Sequence, residues 1–543
     1  MHHNVKSICI VGGGSSGWMT AAAITKLLPN IKLTLVESPG IPTIGVGEST
    51  IGHINQFLIM LGLRDEDWMA ACNATYKTSI KFIDFRENPK EEPHKFHYPF
   101  GILDFTDKPR GPMEWFLAKA DDPSIPNDNF AEFYHDAILM TDKNKLTRNE
   151  DFKVRGFNFK SDTAYHMDAG LFGEWLRDNM CLPKGMTHVL ETVDKIIQRE
   201  DASIEKIVTK EGSHIHADLF IDCSGFRSIL LDQTLNEPFI SFHDTLLNDR
   251  AIATVIPYID QEAEMENYTS CTAIEAGWVW NIPLWNRIGT GYVYSSKHAT
   301  EEEAEAQFRK HLASNRMIFP DAERAANCEV RHIKIKHGVH KRAWVKNVVG
   351  IGLANGFIEP LESTGLMLTH EGIIKLCSTL TMRNGVVSNY DVDLFNVGFQ
   401  EQILGFKDFI SQHYALSMRN DTPYWQEVSG KVEYSRTMSG MSNLSGVSIL
   451  DHDIRSSSDL SVRLHRTRRF DNNMGGIIYI AAGMGYNPVE PNFLRYEDDR
   501  IGETVEMRRQ VYDNWLVHKE EALRHIDTLP THYEFLRDNI YKS

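Results

Sequence analysis

Several residue groups in this chain have the types and spacing that chemistry needs. Gly12-Gly13-Gly14-Ser15-Ser16-Gly17 is a G-x-G-x-x-G run. Its first glycine permits a tight turn, its second lets a pyrophosphate approach the backbone, and its third lets a helix and a strand pack closely. Ser15 and Ser16 stand at the helix start, where free N–H groups would face phosphates. Glu37, about 20 residues further on, is placed to accept bonds from ribose hydroxyls. Lys77, in ATYKTSIKF, is a proton donor with a reference pKa of about 10.4 that desolvation would lower. Glu359 and Glu362 lie in EPLESTG, where a carboxylate could take a proton or stabilise a cation. Thr364-Gly365 then opens a helix whose first N–H groups suit an anion.

Each group also has a plain reading. Period two puts Thr75, Lys77, Ser79 and Lys81 on one strand face, opposite Tyr76, Ile80 and Phe82, and such a face can simply be solvated. Glu359 and Glu362 can both be surface acids, Thr364 an ordinary N-cap, and Trp278 and Trp280 two core indoles on one side of a strand. Gly13-Gly14-Ser15-Ser16-Gly17 also reads as G-x-S-x-G, the nucleophile elbow of another enzyme class. That elbow needs several strands before it and only one precedes here, so Ser15 reads as a phosphate neighbour.

The elements that must position these residues follow from hydrophobic periodicity. Ile8–Val11 predicts a strand, WMTAAAITKLL a helix and Ile31–Val36 a second strand, together a βαβ unit. A helix is expected from Ile51 to Leu61, another from Leu171 to Met180, and a third from about Leu366 to Leu380. HADLFIDCSG reads as a buried strand, and GWVWNIPL and GTGYVYS as β runs. Residues 83–150, rich at first in Pro, Lys and acid, read as an excursion from the core. The expected organisation is therefore one domain over 1–385 carrying the nucleotide site and a β-rich substrate layer. A mainly helical region over 386–543 would cover the substrate site.

Composition removes other classes. With 57 Lys+Arg against 74 Asp+Glu the net charge is −17, which disfavours nucleic acid and anionic membrane as partners. The densest basic run, Arg463–Arg469, is short. Hydrophobic residues at 42% and charged residues at 24% describe an ordinary globular chain rather than a disordered one. Seven dispersed cysteines, with no C-x-x-C pair, predict neither a disulfide framework nor a metal site. Without an apolar leader or a run of about 18 apolar residues, the expected location is the reducing cytoplasm.

Two later segments favour FAD over NAD. Asp222-Cys223-Ser224-Gly225 and Gly350-Ile351-Gly352-Leu353-Ala354 fall where hydroxylase-type flavoproteins place an Asp at a returning strand and a Gly-containing stretch beside the flavin. With GGGSSGWM, TIGVGEST at 43–50, the lysine of ATYKTSIKF, W-x-W-x-I-P at 278–283 and FIEPLESTG at 357–365, the chain resembles the flavin-dependent halogenases of the tryptophan-halogenase family. The resemblance implies an α/β, FAD-binding, flavoprotein monooxygenase-like fold. It implies use of reduced FAD from a separate flavin reductase, with dioxygen and a halide (chloride, bromide or iodide), to make hypohalous acid. Lys77 would direct that oxidant to a small electron-rich arene, and Glu362 would stabilise the cationic intermediate or take its proton. Thr364 and Gly365 would hold the halide. Ile44, Val46 and Ser49 of a flexible strap, with Asp222, Leu353 and Leu366, would complete the flavin site begun by Gly12, Gly14, Ser15, Ser16, Gly17 and Glu37. The two indoles would keep substrate away from the flavin.

The sequence departs from the family pattern at the substrate. His97-Tyr98-Pro99-Phe100 keeps Phe100 as a stacking ring but has Tyr98 where the tryptophan enzymes carry His. FDNNMGGIIYIAAGMG has Gly475 and Gly476 where bulk is expected. An indole, phenol or larger arene fits this pattern better than free tryptophan, and a homo-oligomer stays open. The alternative is an FAD-dependent aromatic hydroxylase of the same fold, which would need NAD(P)H but no halide. A non-enzymatic flavin-binding protein is the third reading.

Overall fold

The computed structural model describes residues 2–40, 47–101, 107–109, 111, 114–429, 475–487 and 504–542. The chain folds as two compact units, each built from three segments. One comprises Met1–Thr75, Tyr165–Asp249 and Lys334–Leu404, and the other Tyr76–Ala164, Arg250–Ile333 and Gly405–Ser543.

The first unit is built on the predicted βαβ unit. Strands Ser7–Val11 and Lys32–Glu37 pair in parallel around the crossover helix Ser15–Leu27. Strands from distant segments extend the sheet to six, in the order Trp344–Val345, Val348–Gly350, Leu219–Asp222, Ser7–Val11, Lys32–Glu37, Thr187–Leu190. Every pairing is parallel except the one that joins the Trp344–Val345 edge strand. Parallel neighbours require crossovers, so this sheet collects strands from across the chain. Helices Ala169–Leu176 and Gly365–Met382 both pack against Ser15–Leu27.

The second unit carries a seven-stranded sheet ordered Arg331–Lys334, Arg250–Ile256, Ile288–Tyr294, Gly277–Pro283, Tyr268–Ile274, Ser79–Ile83, Lys95–Pro99. Its three central strands form antiparallel hairpins, and Tyr268–Ile274 also pairs in parallel with Ser79–Ile83. Trp278 and Trp280 share a side, with ring centroids 6.2 Å apart. A side chain on Gly291 would strike the Trp280 ring, so the neighbouring strand is notched to seat it. After Val386–Ser388 the regular elements among the described residues are helical, including Asn389–Ala415, Gly475–Gly483, Val505–Ile526 and His532–Asn539.

Three expectations are corrected. The 83–150 stretch is not an excursion: Lys95–Pro99 is a sheet strand, and Trp115, Phe116, Phe130 and Phe133 form an apolar cluster with Tyr479 and Trp515. Its polar surface composition conceals these rings. No unit boundary falls at 385/386, because the helix Asn389–Ala415 itself carries the chain from the first unit into the second. ATYKTSIKF is two strands, Thr75–Lys77 and Ser79–Ile83. At the break the Thr78 N–H turns to the Asn267 carbonyl at 2.8 Å and its hydroxyl meets Thr141 at 2.7 Å. Smaller shifts are that the helix expected at Ile51–Leu61 runs Ile54–Leu61 and the one expected at Leu171–Met180 runs Ala169–Leu176, continued by a wider turn to Cys181.

Candidate functional site

In the first unit the glycine run sits between the end of strand Ser7–Val11 and the helix Ser15–Leu27. Gly12 has φ +112°, and a Cβ there would lie 2.3 Å from the Cys223 carbonyl oxygen. A Cβ on Gly17 would lie 2.0 Å from the Gly12 oxygen. Beside Gly14, in contrast, nothing lies within 4 Å. Two glycines are thus fixed by protein packing, and the middle one borders open space where a phosphate can approach. The helix has no side-chain N-cap bond, leaving its first-turn N–H groups of Ser15 and Ser16 for an anion. Glu37 accepts a 2.8 Å bond from His188 Nε2 through Oε1, and its Oε2 lies beside Gly13. These features fit the pyrophosphate and ribose of a dinucleotide.

Asp222, expected among the flavin-site residues, directs its side chain to the protein's own loop. It is fully buried, and its carboxylate accepts bonds from Ser224 N–H and Oγ–H at 3.0 and 2.6 Å and from the N–H groups of Leu230 and Leu231 at 2.7 and 2.9 Å. Burial pushes its pKa up while these donors pull it down. The side chain folds the Cys223–Leu231 loop, whose first carbonyl packs on Gly12. Leu353, in contrast, is 41% exposed, on the turn Gly352–Ala354 that packs against Ser16.

The second feature of this unit is EPLESTG. Both carboxylates are buried, so the surface reading of Glu359 is wrong: it accepts a 2.8 Å bond from Asn248 Nδ2. Glu362 ends a short 3-10 turn, and Ser363 follows with φ +56°. Ser363 Oγ–H donates to Ser49 Oγ at 3.0 Å, tying the 47–50 segment to this turn. Thr364 is the N-cap of the 18-residue helix Gly365–Met382 and makes no side-chain cap bond. Its buried hydroxyl has no hydrogen-bond partner among the described residues, and a Cβ on Gly365 would meet nothing within 4 Å. A helix N-terminus, a hydroxyl and open space together suit a small anion. Leu366 is buried on the first helical turn. Ile44 and Val46 lie outside the described residues, as do 470–474 of the FDNN segment and the Arg463–Arg469 run. Glu48, paired across strands with Met167, has its carboxyl pushed up to about 7, first by burial and then by Asp168.

In the second unit Lys77 has no exposed surface, and its Nζ lies 5.0 Å from the centroid of the Phe100 ring. The predicted shared face with Lys81 ends at the Thr78 break. Lys81 instead bonds Asp142 at 3.2 Å and Tyr268 at 3.4 Å, beside His97. Phe100 is buried and Tyr98 half-buried. Tyr98 lies 6.4 Å from Phe100, 6.1 Å from Phe409 and 5.9 Å from Tyr479 between ring centroids. Tyr479 was not singled out from the sequence, although it is the one hydroxyl in the apolar run IIYIAAG. The Ser49–Ser363 and Asn248–Glu359 bonds left no sequence signal.

A glycine cradle on a parallel sheet, an anion-receptive helix start flanked by a buried glutamate, and an enclosed lysine beside aromatic rings define an α/β FAD-binding, flavoprotein monooxygenase-like enzyme. The tryptophan halogenase family model matches residues 7–491, and the chain belongs to that family of flavin-dependent enzymes of aromatic halogenation. It is 32% identical to tryptophan 7-halogenase RebH of Lentzea aerocolonigenes, with 99% of each chain covered. It is 36% identical to tryptophan 6-halogenase ThaL of Streptomyces albogriseolus, over 78% of this chain and 79% of that one. The apo structure of VirX1 superposes with a TM-score of 0.87 at 43% identity, covering 99% of this chain and all of that one. Enzymes of this family work with FAD, a halide, an aromatic substrate and a separate flavin reductase. No helix among the described residues is long and apolar enough to cross a membrane.

The glycine geometry separates binding from folding. Gly14→Ala is expected to leave thermal stability within about 0.5 kcal/mol while weakening oxidised FAD at least several-fold, measured by fluorescence titration. Gly17→Ala is expected to lower the melting temperature itself. Glu48 gives a pH signature. Its folded pKa is raised, so its contribution is fully present below the unfolded carboxylate value near 4.5 and is lost as pH rises through about 7. Relative to Glu48→Gln, the native protein should lose denaturant stability progressively across that window; a constant difference would contradict the assignment.

Proposed function

We propose that this halogenase uses Lys77 to deliver an electrophilic halogen to an electron-rich arene, an indole, a phenol or a larger aromatic, with Glu362 as the proton acceptor. The observation that carries the reading is the complete enclosure of the Lys77 ammonium against the Phe100 ring. Enclosing an ammonium costs free energy, which an exposed lysine with no task would avoid. When bound, reduced FAD with dioxygen supplies the two-electron oxidation that turns halide into hypohalous acid.

Gly12, Gly14, Ser15, Ser16 and Gly17 would hold the pyrophosphate, and Glu37 the ribose through the oxygen that His188 leaves. Ser49, Leu353 and Leu366 would border the flavin, with Ile44 and Val46 of the strap. The Thr364 hydroxyl and the N–H groups at Gly365 would hold the halide. Lys77 would hydrogen-bond hypohalous acid, or carry its halogen as a haloamine. In the hydrogen-bonded route the arene carbon attacks the halogen, the halogen–oxygen bond breaks, and the departing oxygen takes a proton from Nζ to leave as water. Glu362 then accepts the proton from the substituted carbon and stabilises the cation before it leaves. Phe100 and Tyr98 would stack on the substrate ring. With Tyr98 in place of a His and two glycines opening the helix Gly475–Gly483, free tryptophan lacks clamping groups. Chloride, bromide and iodide all stand as candidate halides at Thr364.

Lys77→Ala, supplied with chemically reduced FAD, halide and an arene, should lose about 10²–10⁴-fold in halogenation. It should still consume reduced flavin and release hypohalous acid to a chemical trap. Retained halogenation would overturn the assignment. Glu362→Gln should lose about 10²-fold or more, with the solvent isotope effect changed. NADPH alone should fail to reduce the bound flavin, since rapid reduction would favour a hydroxylase.

A further inference from the structure

The W-x-W-x-I-P signature has a second side. Trp278 and Trp280 project one way from strand Gly277–Pro283, and Asn281 and Pro283 project the other. On that reverse side of the seven-stranded sheet, within the second unit, lies a half-open cavity of about 220 Å³. This is smaller than the roughly 300–1,000 Å³ usual for drug-sized ligands, so it suits a small molecule.

The cross-strand register builds its floor. His97 faces Lys81, Lys81 faces Ser270, and Ser270 faces Asn281, a polar row across four strands. Ile83, Pro283, Ile288, Met317 and Ile318 supply an apolar surround. Most of the charged groups there are engaged. Arg316 bonds Asp84 at 2.6 Å, Glu264 bonds Arg324 at 2.7 Å, Glu266 accepts from the Tyr268 hydroxyl, and Lys81 bonds Asp142. Two groups are not. Asn281 Oδ1 is buried with no hydrogen-bond donor among the described residues, although its Nδ2 contacts Met317 Sδ at 3.5 Å. The Lys95 ammonium has no ion-pair partner among the described residues.

The open acceptor and the open cation lie far apart. Their strands are separated by two others, or about 14 Å at ~4.8 Å per step. The lysine stem covers part of this distance. A ligand satisfying both therefore carries an anion at one end, a hydrogen-bond donor at the other and an apolar body between. A small aliphatic α-amino acid carries its donor and its anion on one carbon and cannot span the gap, an aromatic α-amino acid would bring a second ammonium up against the Lys95 cation, and a neutral arene leaves Lys95 unused. We propose that this cavity binds a small aryl carboxylate bearing an N–H or O–H donor at the end remote from its carboxylate. The site is separate from Lys77 and does not depend on the halogenation mechanism.

The probes are indole-3-acetate and 4-hydroxyphenylacetate, each paired with its neutral parent, indole or phenol, in calorimetric titration of the full-length protein. Because either acid could also enter the reaction site, the decisive background is Phe100→Ala. A saturable binding event should survive there. Adding Lys95→Met should weaken it about three- to tenfold, and Asn281→Ala should weaken it too, while Lys95→Met alone keeps wild-type arene turnover. Lys95 is exposed, so its loss does not threaten folding. Absence of binding at millimolar acid, equal binding of the neutral parents, or an event abolished by Phe100→Ala and indifferent to Lys95→Met would each overturn the proposal.

Discussion

The nucleotide end of this protein depends on one close approach. The turn at Gly12, the helix start at Gly17 and the Cys223 carbonyl that follows Asp222 meet at distances that leave no room for a single added carbon. That contact brings the N-terminus of helix Ser15–Leu27 over the ends of strands Ser7–Val11 and Leu219–Asp222. The four hydrogen bonds gathered by Asp222 hold the Cys223 segment in place, so this residue shapes the cradle without entering it. Gly352 extends the same arrangement, packing its turn against Ser16 and leaving Leu353 exposed beside it. A shift of the Asp222 loop would propagate to the phosphate cradle through Gly12, because nothing soft lies between them.

A second constraint governs the candidate site side chains, namely that charge is enclosed rather than displayed. Lys77, Glu359 and Glu362 are all buried. Removing such groups from water is unfavourable unless neighbours compensate, and the compensations found are specific. Phe100 presents a ring to the lysine, and Asn248 a carboxamide to Glu359. Glu359, set three residues before Glu362 in the same turn, anchors that turn by its bond to Asn248. Glu362 and Thr364 are then presented from a fixed backbone. The Ser363–Ser49 bond draws the strap segment to that fixed point.

What could be read from the sequence was what depends on neighbours along the chain. The glycine run, the βαβ unit and the long helix after Thr364 each follow from a few adjacent residues, and each has nearly its expected bounds. What could not be read depends on partners far away. The strand break at Thr78 follows from the carbonyl of Asn267. The burial of Glu359 follows from Asn248, 111 residues earlier. The 83–150 region reads as an excursion because its Pro and charged residues dominate its composition, while its aromatic residues meet Tyr479 and Trp515 from the opposite end of the chain.

The same reasoning explains why the chemistry is easier to read than the substrate. The chemistry proposed here draws on a phosphate cradle, a helix start suited to an anion and a lysine, and each comes from one short continuous motif. Tyr98 lies on strand Lys95–Pro99, and rings packed around it come from helices Asn389–Ala415 and Gly475–Gly483, far along the chain. No short motif can encode such a wall, and in the proposed reading a change in one of these rings alters the space for an arene without touching the cradle. Under the proposed mechanism, selectivity can therefore drift while halogen delivery is retained.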